Sequence, residues 1–242
     1  MNRRNHRLLY ALAKVICVLV FFLPIKSVSQ HTIYQGAITR GDSSVKKIAL
    51  IFSGDEFGEG LDFVQSTLKQ NNIPSSFFFT GKFYRNRKFQ PGIKLLADDG
   101  HFMGAHSDQH LLYCDWIHRD SLLVTQRQFE IDLLRNYESM EQAGVDAARA
   151  IYFLPPYEWY NDTIASWTRN LGIQLINFTP GTLSHTDYTT LQDKNYRDNQ
   201  TIFNSIKNYE NRHPGGLNGF ILLMHIGAGP GRKEKFYTRL PE

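Results

Sequence analysis

The alternation of short apolar runs with amphipathic stretches is the feature that most restricts the fold of this chain. Apolar runs of strand length occur at KIALIF, SSFFFTG, HFMGAHS, AIYFLPPY, IQLINFT and GFILLMHIG. Between them lie stretches with helical spacing of apolar residues: GLDFVQSTLKQNN, GIKLLADDG, SLLVTQRQFEIDLLRNYESMEQAG, TIASWTRNLG and QTIFNSIKNYENRH. This order predicts parallel strands with helices outside them. We therefore expect an α/β fold, in a barrel-like arrangement rather than an open sheet.

The first 29 residues have the pattern of a secretory signal peptide. Early arginines precede an apolar run from Val15 to Pro24, and small residues follow at Ser27 and Ser29. The run is shorter than the roughly 20 residues that span a bilayer. We predict a signal peptide at 1–29 and a secreted or periplasmic protein with no stable membrane insertion after cleavage. A signal anchor is the alternative.

Charge and cysteine content narrow the function classes. Of the 27 basic residues of the chain, five lie in residues 1–29, which hold no acidic residue. The mature chain therefore has 22 basic and 23 acidic residues. It lacks the basic excess of a nucleic-acid-binding domain, so we expect no nucleic-acid partner. Cys114 is the one cysteine left after residue 29, which excludes an intrachain disulfide in the mature protein.

Polar residues gather at the carboxyl ends of the predicted strands, where α/β folds place their active sites. Asp55 and Glu56 follow the first strand. The other members of this set are Thr80, His106, Ser107, His110, Tyr157, Glu158 and His225. Because parallel strands bring these ends to one face, carboxylates and three histidines from distant parts of the chain are expected to converge there.

His106 and His110 stand four residues apart in AHSDQH. On a helix they would share one face and could bind one metal ion; two unpaired surface histidines are the alternative. Adding Asp55 or Glu56 makes a set of two histidines and a carboxylate, which suits a catalytic Zn²⁺ or another divalent ion. One acid would then be a ligand and the other a base, although acids at the start of a helix are the simpler interpretation.

The motifs IFSGDEF, HSDQH, FLPPY and LLMH occur in the order and spacing of a known family. With them the chain resembles the polysaccharide deacetylases, the NodB-homology group or carbohydrate esterase family four, over about residues 46 to 230. The resemblance implies a distorted (β/α) barrel, a divalent metal (usually zinc) and a carbohydrate substrate. It also implies hydrolytic removal of acetyl groups from amino sugars or, in some members, xylan. The expected domains are an N-terminal segment at 30–45 and a catalytic domain at 46–242.

The same resemblance implies a role for each matching residue. The catalytic set is Asp55 as base, His225 as the acid that protonates the amine, Tyr157 with a backbone N–H for the oxyanion, and Asp187 as the partner of His225. The implied metal ligands are Glu56, His106 and His110.

The sequence departs from the family pattern at four places. Glu56 replaces the usual aspartate, and Leu154 stands where an arginine normally orients the base, so Arg149 or the 181–188 loop is expected to substitute. Asp187-Tyr188 matches the fourth motif only weakly. The chain also ends at Glu242, before the usual final helix, whose first turn Pro241 would suit. We expect a partly uncovered barrel or a truncated chain.

The leading hypothesis is a secreted, metal-dependent carbohydrate deacetylase with zinc first among the candidate ions. The second is a weakly active or inactive glycan-binding protein on the same barrel, in which Trp116, Tyr157, Trp159 and Tyr160 would stack on sugar rings. A third is an amidase or esterase acting on a smaller acetylated molecule. The sequence leaves the glycan, the metal and the oligomeric state open.

Overall fold

The computed structural model describes residues 31–242, so the predicted signal peptide at 1–29 lies outside the described residues. The strands of this part are β1 Thr32–Tyr34, β2 Ala37–Arg40, β3 Ala49–Gly54, β4 Ser76–Phe79, β5 Phe102–Ala105, β6 Tyr152–Phe153, β7 Gln174–Leu175 and β8 Ile221–His225. The α-helices are α1 Leu61–Gln70, α2 Gly81–Arg85, α3 Gln90–Asp98, α4 Gln126–Gln142, α5 Asp162–Asn170 and α6 Asn199–Arg212. None of the helices in residues 31–242 has the length and apolar character needed to cross a membrane.

Six parallel strands form the main sheet, in the order β7-β6-β5-β4-β3-β8. The sheet curls into a half-barrel with the helices outside it, which confirms the predicted distorted (β/α) barrel. Since every neighbouring pair is parallel, the carboxyl ends of all six strands lie on one face. That face carries the polar strand ends noted in the sequence.

The hairpin of β1 and β2 connects the two edges of the half-barrel. Ile38 bridges to Ile176 just after β7, and the Thr179 hydroxyl donates to the Thr39 carbonyl oxygen at 2.6 Å. The Arg40 guanidinium donates to the carbonyl oxygens of Gly216 and Asn218, which precede β8. Residues of the predicted N-terminal segment thus pack directly on the barrel.

Successive residues of the strands face opposite sides of the sheet and build two apolar layers. Phe52, Phe77 and Phe79 belong to the larger layer under the helices. The inner layer contains Ile51, Phe78, Leu154, Ile176, Ile221 and Leu223. Leu154, at the position of the family arginine, is therefore an interior packing residue and offers no polar side chain to the strand ends.

One helix is additional to those expected and another begins later than expected, because side chains cap both. Helix α2 was not predicted; it begins after Thr80, whose hydroxyl accepts from the Phe83 N–H at 3.2 Å. Helix α4 begins at Gln126 and not near Ser121, because Thr125 and Gln128 form a capping box. Residues 121–124 consequently stay outside the helix, and Leu122 forms an isolated bridge with Cys114.

Candidate active site

A cavity of about 1140 Å³ opens at the carboxyl ends of the strands. Its walls include six of the predicted site residues, Asp55, Glu56, His106, His110, Tyr157 and His225, and the seventh, Asp187, contacts His225 from behind. The structure therefore brings the residues chosen from five separate motifs to one place. Their chemical roles stay predictions.

The end of β3 presents Ser53, Gly54, Asp55 and Glu56 to the cavity. The Ser53 hydroxyl is buried and has no hydrogen-bond partner among the described residues. Asp55 accepts from the Thr80 hydroxyl at 2.9 Å and lies 3.2 Å from the Lys82 ammonium. Glu56, the implied ligand, has an exposed side chain at the rim. The two acids thus have different surroundings, and Lys82, not Arg149, is the cation beside Asp55.

Arg149 does not reach this site. It lies in the short 3₁₀ segment Ala147–Arg149 before β6, at the amino end of that strand, and it is exposed. Because the cavity is at the carboxyl ends, the expectation that Arg149 replaces the missing arginine is wrong.

His106 and His110 approach each other although the segment between them is not helical. Their ring centroids lie 5.0 Å apart. Ser107 and His110 have positive φ angles of 74° and 58°, which bend the chain back on itself. The helical arrangement considered for this pair does not occur, but the two rings still lie next to each other.

A buried aspartate holds this loop in place. Asp132 of α4 accepts hydrogen bonds from the Ser107 hydroxyl at 2.6 Å, the Gln109 N–H at 3.0 Å and the Tyr113 hydroxyl at 2.7 Å. Sequence reasoning missed Asp132 because it belongs to an ordinary amphipathic helix. The signal available was an acidic residue on the apolar face of that helix.

The His106 ring is fixed by a main-chain contact. Its Nδ1 lies 2.8 Å from the Leu154 carbonyl oxygen, so Nδ1 carries the proton and Nε2 is left as an acceptor. Burial, together with the neighbouring His110, holds the pKa of His106 well below its usual value. Burial also lowers the pKa of His110, against the opposing attraction of Asp55. Both imidazoles are therefore neutral near pH 7.

His225 stands at the end of β8 with Asp187 behind it. Asp187 Oδ1 lies 2.6 Å from His225 Nδ1, and Oδ2 accepts from the His225 main-chain N–H at 2.9 Å. Burial alone would lower the pKa of His225, but the charge and hydrogen bond of Asp187, with a further contribution from Glu158, raise it overall. The raised pKa favours the protonated form of the imidazole.

Tyr157 and Glu158 form a sharp turn after β6, and both have positive φ angles, 59° and 53°. The Tyr157 ring is 4.4 Å from the His110 ring and 5.5 Å from the Trp116 ring. Glu158 also lines the cavity. Sequence reasoning placed Glu158 at a strand end but assigned it no role.

Aromatic side chains line much of the cavity. They include Tyr34, Trp116, Tyr157, Trp159, Tyr160, Phe178 and Tyr188. Trp159 is held by Arg119, whose guanidinium carbon lies 3.9 Å from the centre of an indole ring, and by a 3.1 Å hydrogen bond to the Asp115 carbonyl oxygen. Trp116 is 53% exposed at the rim. Flat apolar surfaces of this kind suit the faces of sugar rings.

The sequence model of the polysaccharide deacetylases matches residues 40–176, which is more than half of the chain. The chain belongs to the polysaccharide deacetylase family. Among curated proteins, none gives a significant match.

Solved structures of this deacetylase family share the fold. A pseudoenzyme of carbohydrate esterase family 4 from Bacillus anthracis superposes with a TM-score of 0.63 and 17% identity, covering 81% of this chain and 60% of its own. A family 4 carbohydrate esterase from Bacillus subtilis gives 0.61 and 18%, with 90% and 88% covered. The chitin deacetylase of the fungal pathogen Colletotrichum lindemuthianum gives 0.61 and 16%, with 87% and 85% covered.

At 16 to 18% identity, these matches show that the fold is shared and nothing more. The chain spans 60 to 65% of the length of the three pseudoenzyme structures. The same fold therefore occurs in named deacetylases and in a named pseudoenzyme.

The residues present satisfy only part of what the implied metal site needs. The His106 ring has its Nε2 free, and its other nitrogen is fixed as in metal-binding histidines. The carboxylates do not complete the set, because Glu56 is exposed and Asp55 is held by Thr80 and Lys82. Within residues 31–242, no three His, Cys, Asp or Glu side chains are grouped so that they could hold a metal ion. The arrangement therefore does not fit the implied metal, and the metal requirement stays a prediction.

Proposed function

We propose that this chain is an exported hydrolase that removes acetyl groups from a carbohydrate, with an N-acetylated amino-sugar polymer or oligomer as the preferred substrate class. The observation that carries the proposal is the Asp187–His225 pair at the base of an aromatic-lined cavity. Family membership and fold support the same reaction class.

The acid half of this reaction follows from the geometry of the pair. Cleavage of an amide C–N bond requires a proton on the departing nitrogen. Asp187 accepts at His225 Nδ1, which leaves the Nε2–H of the imidazolium to donate to that nitrogen. The raised pKa of His225 favours the form of the imidazole that carries this proton. His225 is the proposed proton donor, and Asp187 is its positioning residue.

The aromatic side chains that line the cavity are the reason for proposing a carbohydrate substrate. Trp116, Trp159 and Tyr188 line the cavity that contains His225, and Tyr188 lies 4.7 Å from the His225 ring. Rings in this position bury the apolar face of a sugar while its hydroxyl groups remain available to polar side chains. This arrangement favours a glycan over a small acetylated molecule.

Acetate release from acetylated chitooligosaccharide, peptidoglycan and acetylxylan tests the proposal. The His225→Gln variant should release acetate about 10²–10⁴-fold more slowly than the wild type, since that is the usual contribution of a general acid. His118→Gln, at an exposed position, is the matched control. Absence of acetate from every substrate would contradict the proposal.

The same assay tests whether acetate release requires a bound metal ion. The protein is treated with a chelator and then measured with and without added Zn²⁺. Stimulation by Zn²⁺ that disappears in His106→Ala would support the ligand set Glu56, His106 and His110. Equal activity after chelation would contradict it.

A glycan-binding protein without turnover is the second candidate, and the end of β3 favours it. That strand presents a serine hydroxyl and a glycine at Ser53 and Gly54, and Leu154 removes the arginine that normally orients the base. Calorimetric binding of acetylated chitooligosaccharide, with no acetate released under any metal condition, would support the binder.

A further inference from the structure

Arg119 brings a positive charge to the cavity and has no acidic partner. The cavity is lined by two arginines, Arg40 and Arg119. Every guanidinium nitrogen of the buried Arg40 donates to a carbonyl oxygen or to the Tyr209 hydroxyl. Arg119 is half-buried, and within residues 31–242 no aspartate or glutamate forms an ion pair with it. Its charge is therefore available to a bound molecule.

The Arg119 side chain is held in place by its surroundings. The Nε–H donates to the Tyr160 carbonyl oxygen at 2.6 Å, and the guanidinium carbon lies 3.9 Å from the centre of a Trp159 ring. Nη1 reaches the Tyr34 hydroxyl at 3.4 Å, and the buried Asn161 amide donates to the Arg119 carbonyl oxygen at 3.0 Å. Among the described residues, none accepts a hydrogen bond from Nη2. The terminal nitrogens therefore keep N–H donors for a ligand, and binding immobilises little that is not already fixed.

A run of ring contacts joins Arg119 to the proposed site of reaction. From Arg119 it passes through the rings of Trp159, Trp116, Tyr157 and His110, whose successive centroids are 5.5, 5.5 and 4.4 Å apart. All of these residues line the cavity. Because three aromatic rings lie between Arg119 and His110 along this run, a substrate group that reaches Arg119 belongs to a sugar next to the one that is deacetylated.

The N-terminal hairpin completes the cavity around Arg119. Thr32 and Tyr34 of β1 line it, and the Arg119 guanidinium carbon lies 5.6 Å from the centre of the exposed Tyr34 ring. The Tyr160 hydroxyl donates to the Tyr34 carbonyl oxygen at 2.9 Å, which ties the strand to this position. Strand β1 precedes residues 40–176, which the family model matches. Part of the surroundings of Arg119 is thus built by residues outside the matched segment.

A carboxylate is the ligand group that best fits these donors. A guanidinium offers parallel N–H groups to the two oxygens of a carboxylate. The aromatic rings beside it suit the apolar face of the sugar that carries the carboxylate. Asp55, Glu56 and Glu158 also line the cavity, and their charges would repel a carboxylate placed beside them. The distribution of charge therefore favours one register of an acidic glycan.

We propose that Tyr34, Arg119 and Trp159 form a subsite for a carboxylate-bearing sugar next to the acetylated amino sugar, a role that rests on the proposed deacetylation. The substrate class is then an acidic glycan, whose carboxylate belongs to a uronic acid or to a lactyl ether on an amino sugar. Arg119 determines specificity and takes no part in the chemical step.

Acetate release from matched acidic and neutral oligosaccharides tests the proposal. Hyaluronan oligosaccharides supply the uronic acid, and peptidoglycan strands freed of their peptides supply the lactyl group. Each is compared with the same material after its carboxyl groups have been reduced to alcohols. Wild-type kcat/KM should be between about threefold and 100-fold higher for the acidic member of at least one pair, the range of a charge-assisted hydrogen bond. The pair that shows the preference identifies the carboxylate. A ratio below about threefold in both pairs would overturn the proposal without any variant.

The variant Arg119→Gln separates the charge of Arg119 from its support of Trp159. The ratio of acidic to neutral kcat/KM should fall toward one in this variant. Arg127→Gln, which removes an exposed charge at the start of α4, should keep the wild-type ratio. A displaced Trp159 would slow both members of a pair together. An unchanged ratio in Arg119→Gln would therefore overturn the proposal.

Calorimetric binding of the same oligosaccharides distinguishes failure of the subsite from failure of the proposed function. A wild type that releases no acetate from any substrate would contradict the deacetylation. Tighter binding of the acidic members, lost in Arg119→Gln, would still support the subsite in that case. Acetate release with equal use of acidic and neutral members would overturn the subsite alone.

Discussion

Asp187 and His225, 38 residues apart in the chain, are joined by two hydrogen bonds through one carboxylate. One oxygen meets the imidazole Nδ1 at 2.6 Å and the other accepts the main-chain N–H of the same histidine at 2.9 Å. Asp187 is buried, with 2% of its surface exposed. This bidentate contact fixes both the ring orientation of His225 and the place of its proton, so the acid function depends on Asp187.

Replacing Asp187 by asparagine should shift the pH dependence of the reaction. Burial would then lower the pKa of His225 with less opposition, because the carboxylate that raises it is gone. The reaction needs protonated His225, and activity is lost as the pH rises through that pKa. The basic limb of kcat/KM should therefore move to lower pH in Asp187→Asn. Asp193→Asn, exposed in the same loop, is the control, and an unmoved basic limb would contradict the assignment.

Substitution of Trp116 should weaken glycan binding without changing the chemistry. The indole is 53% exposed at the rim and lies 5.5 Å from the Tyr157 ring. Losing one stacking contact of about 1 kcal/mol corresponds to a rise in KM of roughly fivefold in Trp116→Ala, with kcat unchanged. The neighbouring Ile117, 85% exposed, provides Ile117→Ala as the comparison. Steady-state kinetics on chitooligosaccharides of increasing length measure KM and kcat of both variants. An unchanged KM in Trp116→Ala would exclude stacking at Trp116.

Arg232 should be a main stabiliser of the loop that carries Asp187. Its buried guanidinium donates to the carbonyl oxygens of Thr189, Arg197 and Glu234 and to the Asn199 side chain, at 2.7 to 2.9 Å. Arg232→Met leaves these acceptors without donors, so we expect the free energy of unfolding to fall by about 3 kcal/mol. Urea denaturation measures the loss, and Lys233→Met, exposed next to it, should change little. A loss below about 1 kcal/mol would show that the loop is held by other contacts.

Sequence patterns predicted the strands and most of the helices, which depend on interactions within one element. The apolar runs became the strands of a parallel sheet, and the helical periodicities became α1 and α3–α6, because burial of an apolar face acts within one element. The parallel arrangement then required the strand ends to share a face. Asp55, His106, Tyr157 and His225 consequently line one cavity, as expected.

The short-range rules failed where a contact from elsewhere in the chain outweighed them. The loop carrying His106 and His110 is bent by hydrogen bonds to Asp132 of α4 and does not continue as a helix. Helix α2 is too short for a clear periodicity, and it exists because Thr80 caps it. Arg149 seemed a possible substitute by sequence proximity alone, but it lies at the wrong end of β6.

The sequence by itself determined the fold class, the face that holds the site and the residue types available there, because these follow from periodicity and strand polarity. Only the tertiary structure decided which groups pair with which. It joined Asp187 to His225, set Lys82 against Asp55 and packed Leu154 into the interior. The physical reason is that hydrogen bonds and charge interactions act over a few ångströms, and folding sets those distances between residues that are far apart in the chain.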